Sequence, residues 1–398
     1  MKAEFPSSIV QSHGLDGTLV GPDWPSLTLE EVSSLLALYP DQNGPYELET
    51  VSPRPFSAAS VVRANNRRVF VKRHALAVRN AEGLREEHRF MDHLRSRGAR
   101  VPVVLTTRTG ETTVETGEWT YEVHSTAVGT DLYFDVFSWM PFRSVEHARS
   151  AGQTLAQLQL AAEGYNAPPR KVRPLVASFS IFADCNPAIR TRQYIDQRPA
   201  LQTYLNQSGW IQEALDYLSP FHAELFPLLP SLAPLWTHND LHASNFFWSD
   251  SSLEAHPTAV IDFGLCDRSN AVHDLAHAIE RNIVEWLALV NAPDRPQDVP
   301  VHFDHLWAFL EGYETMRPLS TQEALALAPM TAICHVEFAL SEGDFFLAVL
   351  HSEEKARVAC EGYLLGHARW WSETGQKVLN AVRSWAIQES RTKRAVTS

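Results

Sequence analysis

Cysteine is scarce. Cys185, Cys266, Cys334 and Cys360 are the four in 398 residues, far apart and without a CxxC pair. That excludes a disulfide framework and a thiolate zinc site, and a reducing cytoplasm is the expected location. Long hydrophobic runs are scarce too. The opening MKAEFPSSIVQSHG has no apolar signal-type core, and the most apolar stretch, Ala324 to Cys334, is 11 residues long and broken by Pro329. Neither secretion nor a membrane span is expected. Positive charge is short as well: 34 Lys and Arg stand against 47 Asp and Glu, a formal net charge of -13. Without clustered basic side chains to displace counterions from phosphates, nucleic acid is not an expected partner.

The rest of the composition is that of a globular protein, 44% hydrophobic and 20% charged, with 10% aromatic residues to fill a core. The spacing predicts a short helix over Leu27 to Leu38 with Ser26 as its cap. Antiparallel strands are then expected at Tyr46 to Val51, Ser60 to Arg63 and Arg68 to Arg73. Between Asn80 and Gly98, Leu84, Phe90 or Met91, and Leu94 share one helical face, and Gly98 is placed to end the helix. Strands at Val101 to Thr107 and Trp119 to Thr126 follow, and beyond Gly129 helical spacing dominates, as in Ala151, Leu155, Leu158 and Ala162. The expected fold is α+β in two lobes: residues 1–125 form a small sheet-plus-helix lobe and residues 126–398 a larger, mainly helical one.

The second lobe carries most of the negative charge. No Lys or Arg occurs from Pro199 to Asp267 or from Pro318 to Glu354, where eight and six acidic residues stand. Such a field is either a solvated surface or a wall that attracts metal and a cationic substrate.

The chemistry concentrates in THNDLHASNFFW, Thr237 to Trp248, and AVIDFGLCD, Ala259 to Asp267. Two apolar strand-like pieces flank a polar loop, with Asp240 and Asn245 on the loop and Asp262 at the end of the second apolar run. A hairpin of this kind presents oxygen ligands to a hard cation. Mg²⁺ needs only one or two protein oxygens besides water and phosphate, so Asn245 and Asp262 suffice and Asp240 is free to act as base.

The spacing H-x-D-x-x-x-x-N followed by I-D-F-G resembles the catalytic loop and metal motif of the protein-kinase-like fold, and more narrowly that of the aminoglycoside and choline phosphotransferase family. His238, Asp240, Leu241, His242 and Asn245 match that family's H-x-D-L-H-x-x-N. The resemblance implies a small-molecule kinase that uses ATP and Mg²⁺ to phosphorylate a hydroxyl group. It assigns the phosphate-binding lysine to Lys72 in VFVKRH and the helical glutamate that fixes its ammonium to Glu87. It further implies that Ser125 and Ala127 bind adenine through backbone groups, that Asp274 holds the catalytic-loop backbone, and that His238 anchors its loop.

Two departures stand out. VSPRPFSAASVV has no glycine where a Gly-rich phosphate loop is expected, so Ser57 to Ser60 must let the backbone approach the phosphates. Gln159 replaces a frequent histidine, which puts that supporting contact in doubt. A protein kinase is disfavoured because Asn239 replaces the arginine before the catalytic Asp. Only eleven residues separate Asp262 from Asp274, too few for an activation segment. His273 and His277, four apart, have the spacing of a helical zinc pair but read better as packing beside Asp274, and His302 and His305 are expected at the surface. The acceptor that fits the acidic field is cationic, such as an aminoglycoside or amino-alcohol; homoserine and sugar kinases and a catalytically inactive nucleotide-binding module of the same fold are the alternatives.

Overall fold

The computed structural model describes residues 12–14 and 17–397. A five-stranded antiparallel sheet forms the small lobe, in the order Tyr46–Leu48, Ala58–Ala64, Arg67–Ala75, Trp119–Ser125, Val114–Thr116. Alternation of side chains gives the sheet two different faces. Val69, Val71, Tyr121 and Val123 pack under helix Leu29–Leu36 as a separate apolar cluster. That helix is capped by Thr28 in a capping box with Glu31, two residues later than the expected Ser26. The opposite face carries Lys72, paired across the strands with Glu122.

Helix Ala81–Ser96 covers this polar face. Asn80 caps it by accepting from the Gly83 N–H, and Gly98 lies beyond its end at φ +89°. Its apolar side belongs to the large-lobe core, where Phe90 packs against Trp236 and Phe263. The helix is thus buried on two sides and ties the lobes together. The segment expected as a strand over Val101 to Thr107 makes only an isolated bridge at Val104, because Pro102 interrupts it and Val103 exchanges bonds with Ser125 alone.

In the large lobe, helices Val145–Ala162 and Phe303–Met316 lie back to back. Each puts a glycine under the other's backbone: a Cβ on Gly152 would collide with the Phe309 carbonyl, and one on Gly312 with the Arg149 carbonyl. Gly152→Ala is therefore expected to lower stability by about 1–3 kcal/mol through overpacking, read from urea unfolding, while activity at low temperature persists. The apolar stretch around Pro329 lies in helix Thr321–Ile333, which continues into His335–Ala348. The whole of Thr321–Ala348 is long and apolar enough to cross a membrane, but 94% of its most apolar window is buried inside the protein.

Candidate active site

Two short antiparallel strand pairs, one enclosing the other in sequence, present the candidate catalytic loop. Strand Pro234–Thr237 pairs with Asp267–Asn270, and Phe246–Trp248 pairs with Pro257–Val260, so residues 238–245 are held at both ends. Trp248 exchanges backbone bonds with Thr130, which fastens the loop to the lobe junction. Gly129, at φ +121°, lets the chain pass there, since a Cβ would strike Thr258 and the Trp248 carbonyl.

Within the loop the contacts are local. His238 is fully buried, receives the Asp240 N–H on Nδ1 at 3.2 Å, and meets the Ile261 carbonyl through Nε2 at 3.0 Å. Burial holds its pKa down at about 4, so it is a neutral strut between the loop and the run that ends in Asp262. The Asn245 amide nitrogen donates to the Asp240 carbonyl at 2.7 Å, which leaves the amide oxygen as a ligand atom. Ile261 N–H reaches the Asn245 carbonyl at 2.9 Å, so Asn245 and Asp262 are presented side by side.

Asp262 occupies left-handed space, at φ +60°, and its Oδ1 accepts from Lys72 Nζ at 3.1 Å. Burial raises its pKa, but the Lys72 charge and hydrogen bond outweigh burial and hold it at about 2. Burial likewise works against the Lys72 ammonium, which Asp262, Glu122 and Glu87 together hold above the ordinary lysine range. Lys72, Asp240, Asn245 and Asp262 line one cleft.

Asp274 accepts the Asn239 N–H at 2.7 Å, the contact expected of it. Burial raises its pKa to about 6 against that bond and one from Gln159. Gln159 fills the place left in doubt: its amide donates to Asp274 at 3.1 Å and its oxygen accepts from Tyr313 at 2.5 Å. His273 packs edge-on against His277 and meets Asn239 Oδ1 at 3.3 Å, so this pair belongs to the loop support.

Several expectations are corrected. Glu87 does not bond to Lys72. It accepts from Arg170 at 2.5 Å and Arg79 at 3.0 Å, and these two arginines also grip the carbonyls of Gly264 and Cys266 just after Asp262. Burial opposes its charge, yet both guanidiniums hold it below the usual carboxylate range, and Glu87 becomes a clamp on the loop after Asp262. Ser60 lies inside strand Ala58–Ala64 with its hydroxyl on the Thr50 carbonyl, and of the two serines only Ser57 lines the cleft. Ser125 spends its N–H on the Val103 carbonyl, so that group is not free for the adenine contact expected of it. His302 and His305 are not free surface residues: His305 is buried, and His302 bonds to Glu285 at 2.7 Å.

Other residues at the site were not anticipated. Arg54, from the glycine-free segment, reaches the carbonyls of Val136 and Tyr133 at 3.1 and 3.3 Å and bridges the lobes along the cleft. Arg281 is fully buried, ion-paired to Asp240, with its guanidinium over Trp139 and Phe338 at 5.1 and 5.0 Å. Asn282 beside it holds the Leu241 carbonyl and the Ala243 N–H. Arg281 lies seven residues, two turns, after Asp274 on helix Ala271–Ile283, and that spacing alone places it on the loop-facing side.

A two-lobed α+β fold with a lysine strand facing an Asp, Asn and Asp set on a clamped loop defines a small-molecule phosphotransferase of protein-kinase-like architecture. The pattern of the phosphotransferase enzyme family is matched over residues 55–319, more than half of the chain, and the chain belongs to that family. An uncharacterized protein of Deinococcus radiodurans is 25% identical over 287 residues, 71% of this chain and 73% of that one. A microcompartment-associated aminopropanol kinase has a similar structure, with TM-score 0.59, 16% identity, and coverage of 88% of this chain and 98% of that one. An aminoglycoside phosphotransferase from Alicyclobacillus acidocaldarius gives TM-score 0.51 at 16% identity, over 92% of this chain and 98% of that one. These likenesses bear on the fold.

Proposed function

We propose that the protein transfers the γ-phosphoryl group of ATP to a hydroxyl of a small molecule that carries an ammonium group, such as an amino-alcohol or an aminoglycoside. Lys72 holds the phosphates. The Asn245 amide oxygen and the Asp262 carboxylate would hold Mg²⁺, which would supply neutralisation of charge on the phosphates. Asp240 orients the acceptor hydroxyl and takes its proton. An inactive nucleotide-binding module is disfavoured because Lys72, Asp240, Asn245 and Asp262 are gathered in one cleft.

One observation carries the cationic acceptor: Glu342 lines the same cleft, buried, together with Trp139 and Phe338. The acidic field thereby narrows to a single carboxyl. Of the other acids in the two base-free spans, Glu213 and Glu224 pair with Arg369 and Arg383, Glu323 with Arg317, and none except Asp240 and Asp262 lines the cleft. Arg281 pairs with Asp240 and also acts on Glu342, whose charge it offsets in part. Aromatic faces beside a carboxylate form a surface for a substrate ammonium.

Burial raises the Glu342 pKa to about 8, with Arg281 opposing. A bound ammonium favours the ionised form, so KM for a cationic acceptor should fall as pH rises from 6 towards about 8 and then level off. The test is ADP release with ATP, Mg²⁺ and a panel of amino-alcohols, aminoglycosides, homoserine and sugars. Cationic acceptors should beat their neutral isosteres, and high salt should raise their KM by screening. Glu342→Gln should raise that KM about tenfold, the equivalent of one charge-assisted contact, and flatten its pH dependence. A neutral or anionic preferred acceptor, or a KM indifferent to salt and to Glu342→Gln, would falsify the assignment.

A further inference from the structure

The joint between helix Ala81–Ser96 and the sheet contains a polar cluster, beside Lys72, to which the proposed phosphoryl transfer assigns no step. Glu122, the cross-strand partner of Lys72, is buried among three histidines. His88 from the helix and His124 from the strand of Glu122 both bring Nε2 to the same oxygen, Glu122 Oε2, at 2.8 and 2.9 Å. His74, two residues after Lys72, brings its Nε2 to the other oxygen, Oε1, at 2.9 Å. The ligand atoms of His88, Glu122 and His124 all lie within 4.8 Å of one another.

The histidine rings meet edge to face, 5.7 Å apart at 76°, which lets the two nitrogens converge without stacking. Two imidazole nitrogens and one carboxylate oxygen form a donor set that suits zinc and its neighbours, whereas Mg²⁺ and Ca²⁺ take oxygen ligands. The surroundings are those of a metal site as well. A ligating histidine normally has its second nitrogen bonded, and a ligating carboxylate its second oxygen. Here Thr112 Oγ1 lies 2.9 Å from His88 Nδ1, and His74 occupies Oε1.

We propose that His88, His124 and Glu122 bind one divalent transition metal ion of the zinc class, which pins helix Ala81–Ser96 to the sheet behind Lys72. The pin stands where a glutamate-to-lysine bridge was expected. Glu87 is turned to Arg79 and Arg170, and the next residue, His88, makes the connection from helix to sheet instead. A second trio, His302, Asp304 and His305, also brings three ligand atoms within 4.8 Å, but Asp304 is exposed and His302 is engaged by Glu285, so it serves as the control.

The experiment uses the full chain without a polyhistidine tag. It is equilibrated with micromolar Zn²⁺ in millimolar Mg²⁺, so that the oxygen site is filled, then desalted and analysed by plasma mass spectrometry. One zinc per chain is expected in the wild type and in His302→Asn, and less than about a tenth of that in His88→Asn and His124→Asn, as loss of one of three protein ligands predicts. Co²⁺ in place of zinc should give visible d–d bands of a low-coordinate nitrogen and oxygen site. A wild type that retains no zinc, or zinc retained equally by His88→Asn, overturns the proposal. If the variants do not fold, the cobalt spectrum of the wild type decides alone, and weak octahedral bands from oxygen ligands overturn it too. Turnover does not enter these readouts, so the result is independent of the acceptor.

Discussion

Asp262→Asn should abolish phosphoryl transfer while the fold survives. Asp262 forms, with the Asn245 amide oxygen, the ligand pair proposed for Mg²⁺; among the described residues the other carboxylates lining the cleft are Asp240, paired with Arg281, and Glu342. Asparagine is the better first substitution than alanine. Residue 262 sits at φ +60°, where asparagine is tolerated and alanine costs about 1–2 kcal/mol, so Asp262→Ala would mix a backbone effect with the loss of the ligand. Both variants remove the carboxylate that pairs with the largely buried Lys72 ammonium and leave Glu122 and Glu87 to offset it, so a drop in Tm should accompany the loss of activity. Asn245→Ala should be milder, about 10²-fold in turnover, as for removal of one oriented polar group at a charged transition state. The pH dependence has a definite sign. With Asp262 held at about 2, below its ordinary 3.8, the Lys72 pair contributes stability above pH 4 that is lost as pH falls through about 2. An acid limb of activity between pH 4 and 6 must therefore come from another group. Near wild-type turnover of Asp262→Asn at saturating ATP and Mg²⁺ would end the phosphotransferase reading of this hairpin.

How far the sequence reaches depends on what each pattern measures. The helix from Asn80 to Gly98 is legible because cap, periodicity and terminal glycine agree, and the strand pairs around the candidate catalytic loop because apolar strands bracket a polar loop. Periodicity reports burial and not partners. Glu86, Glu87 and His88 are all buried because the helix is covered on two sides, so the resemblance that assigned Glu87 to Lys72 could not show that it meets arginines. Arg79 and Arg170 lie outside any periodic element, and only the tertiary fold brings them together. The His74, Glu122, His124 face is different. Lys72 and His74, and Glu122 and His124, are alternate residues on strands, so both pairs mark one polar side, and their convergence needed only the register Lys72 to Glu122. Charge runs proved the least local signal, since most acids of the two base-free spans meet arginines from other helices or solvent.

Asp240→Asn should lower turnover by about 10²- to 10⁴-fold, the usual worth of a positioned proton acceptor, with ATP affinity little changed in calorimetry. The structure adds a second effect. Arg281 is fully buried against Asp240, and removing one partner of a buried ion pair leaves the other charge with only Glu342 to offset it, at a cost of up to about 3 kcal/mol. A loss of activity in the single variant would therefore mix chemistry with a displaced loop. Arg281→Met removes the stranded charge and keeps an apolar stem between Trp139 and Phe338. The double variant Asp240→Asn/Arg281→Met should recover much of the lost stability, because neither charge remains to be compensated. It should recover none of the turnover, because the acceptor hydroxyl still lacks its carboxylate. Arg281→Met alone should keep measurable turnover, with kcat reduced more than the KM for ATP is raised, since Arg281 acts through the orientation of Asp240. Unfolding curves and steady-state rates on the four proteins separate the two roles. If the double variant regains turnover together with stability, Asp240 is a counter-ion for Arg281 and the proton acceptor lies elsewhere in the cleft.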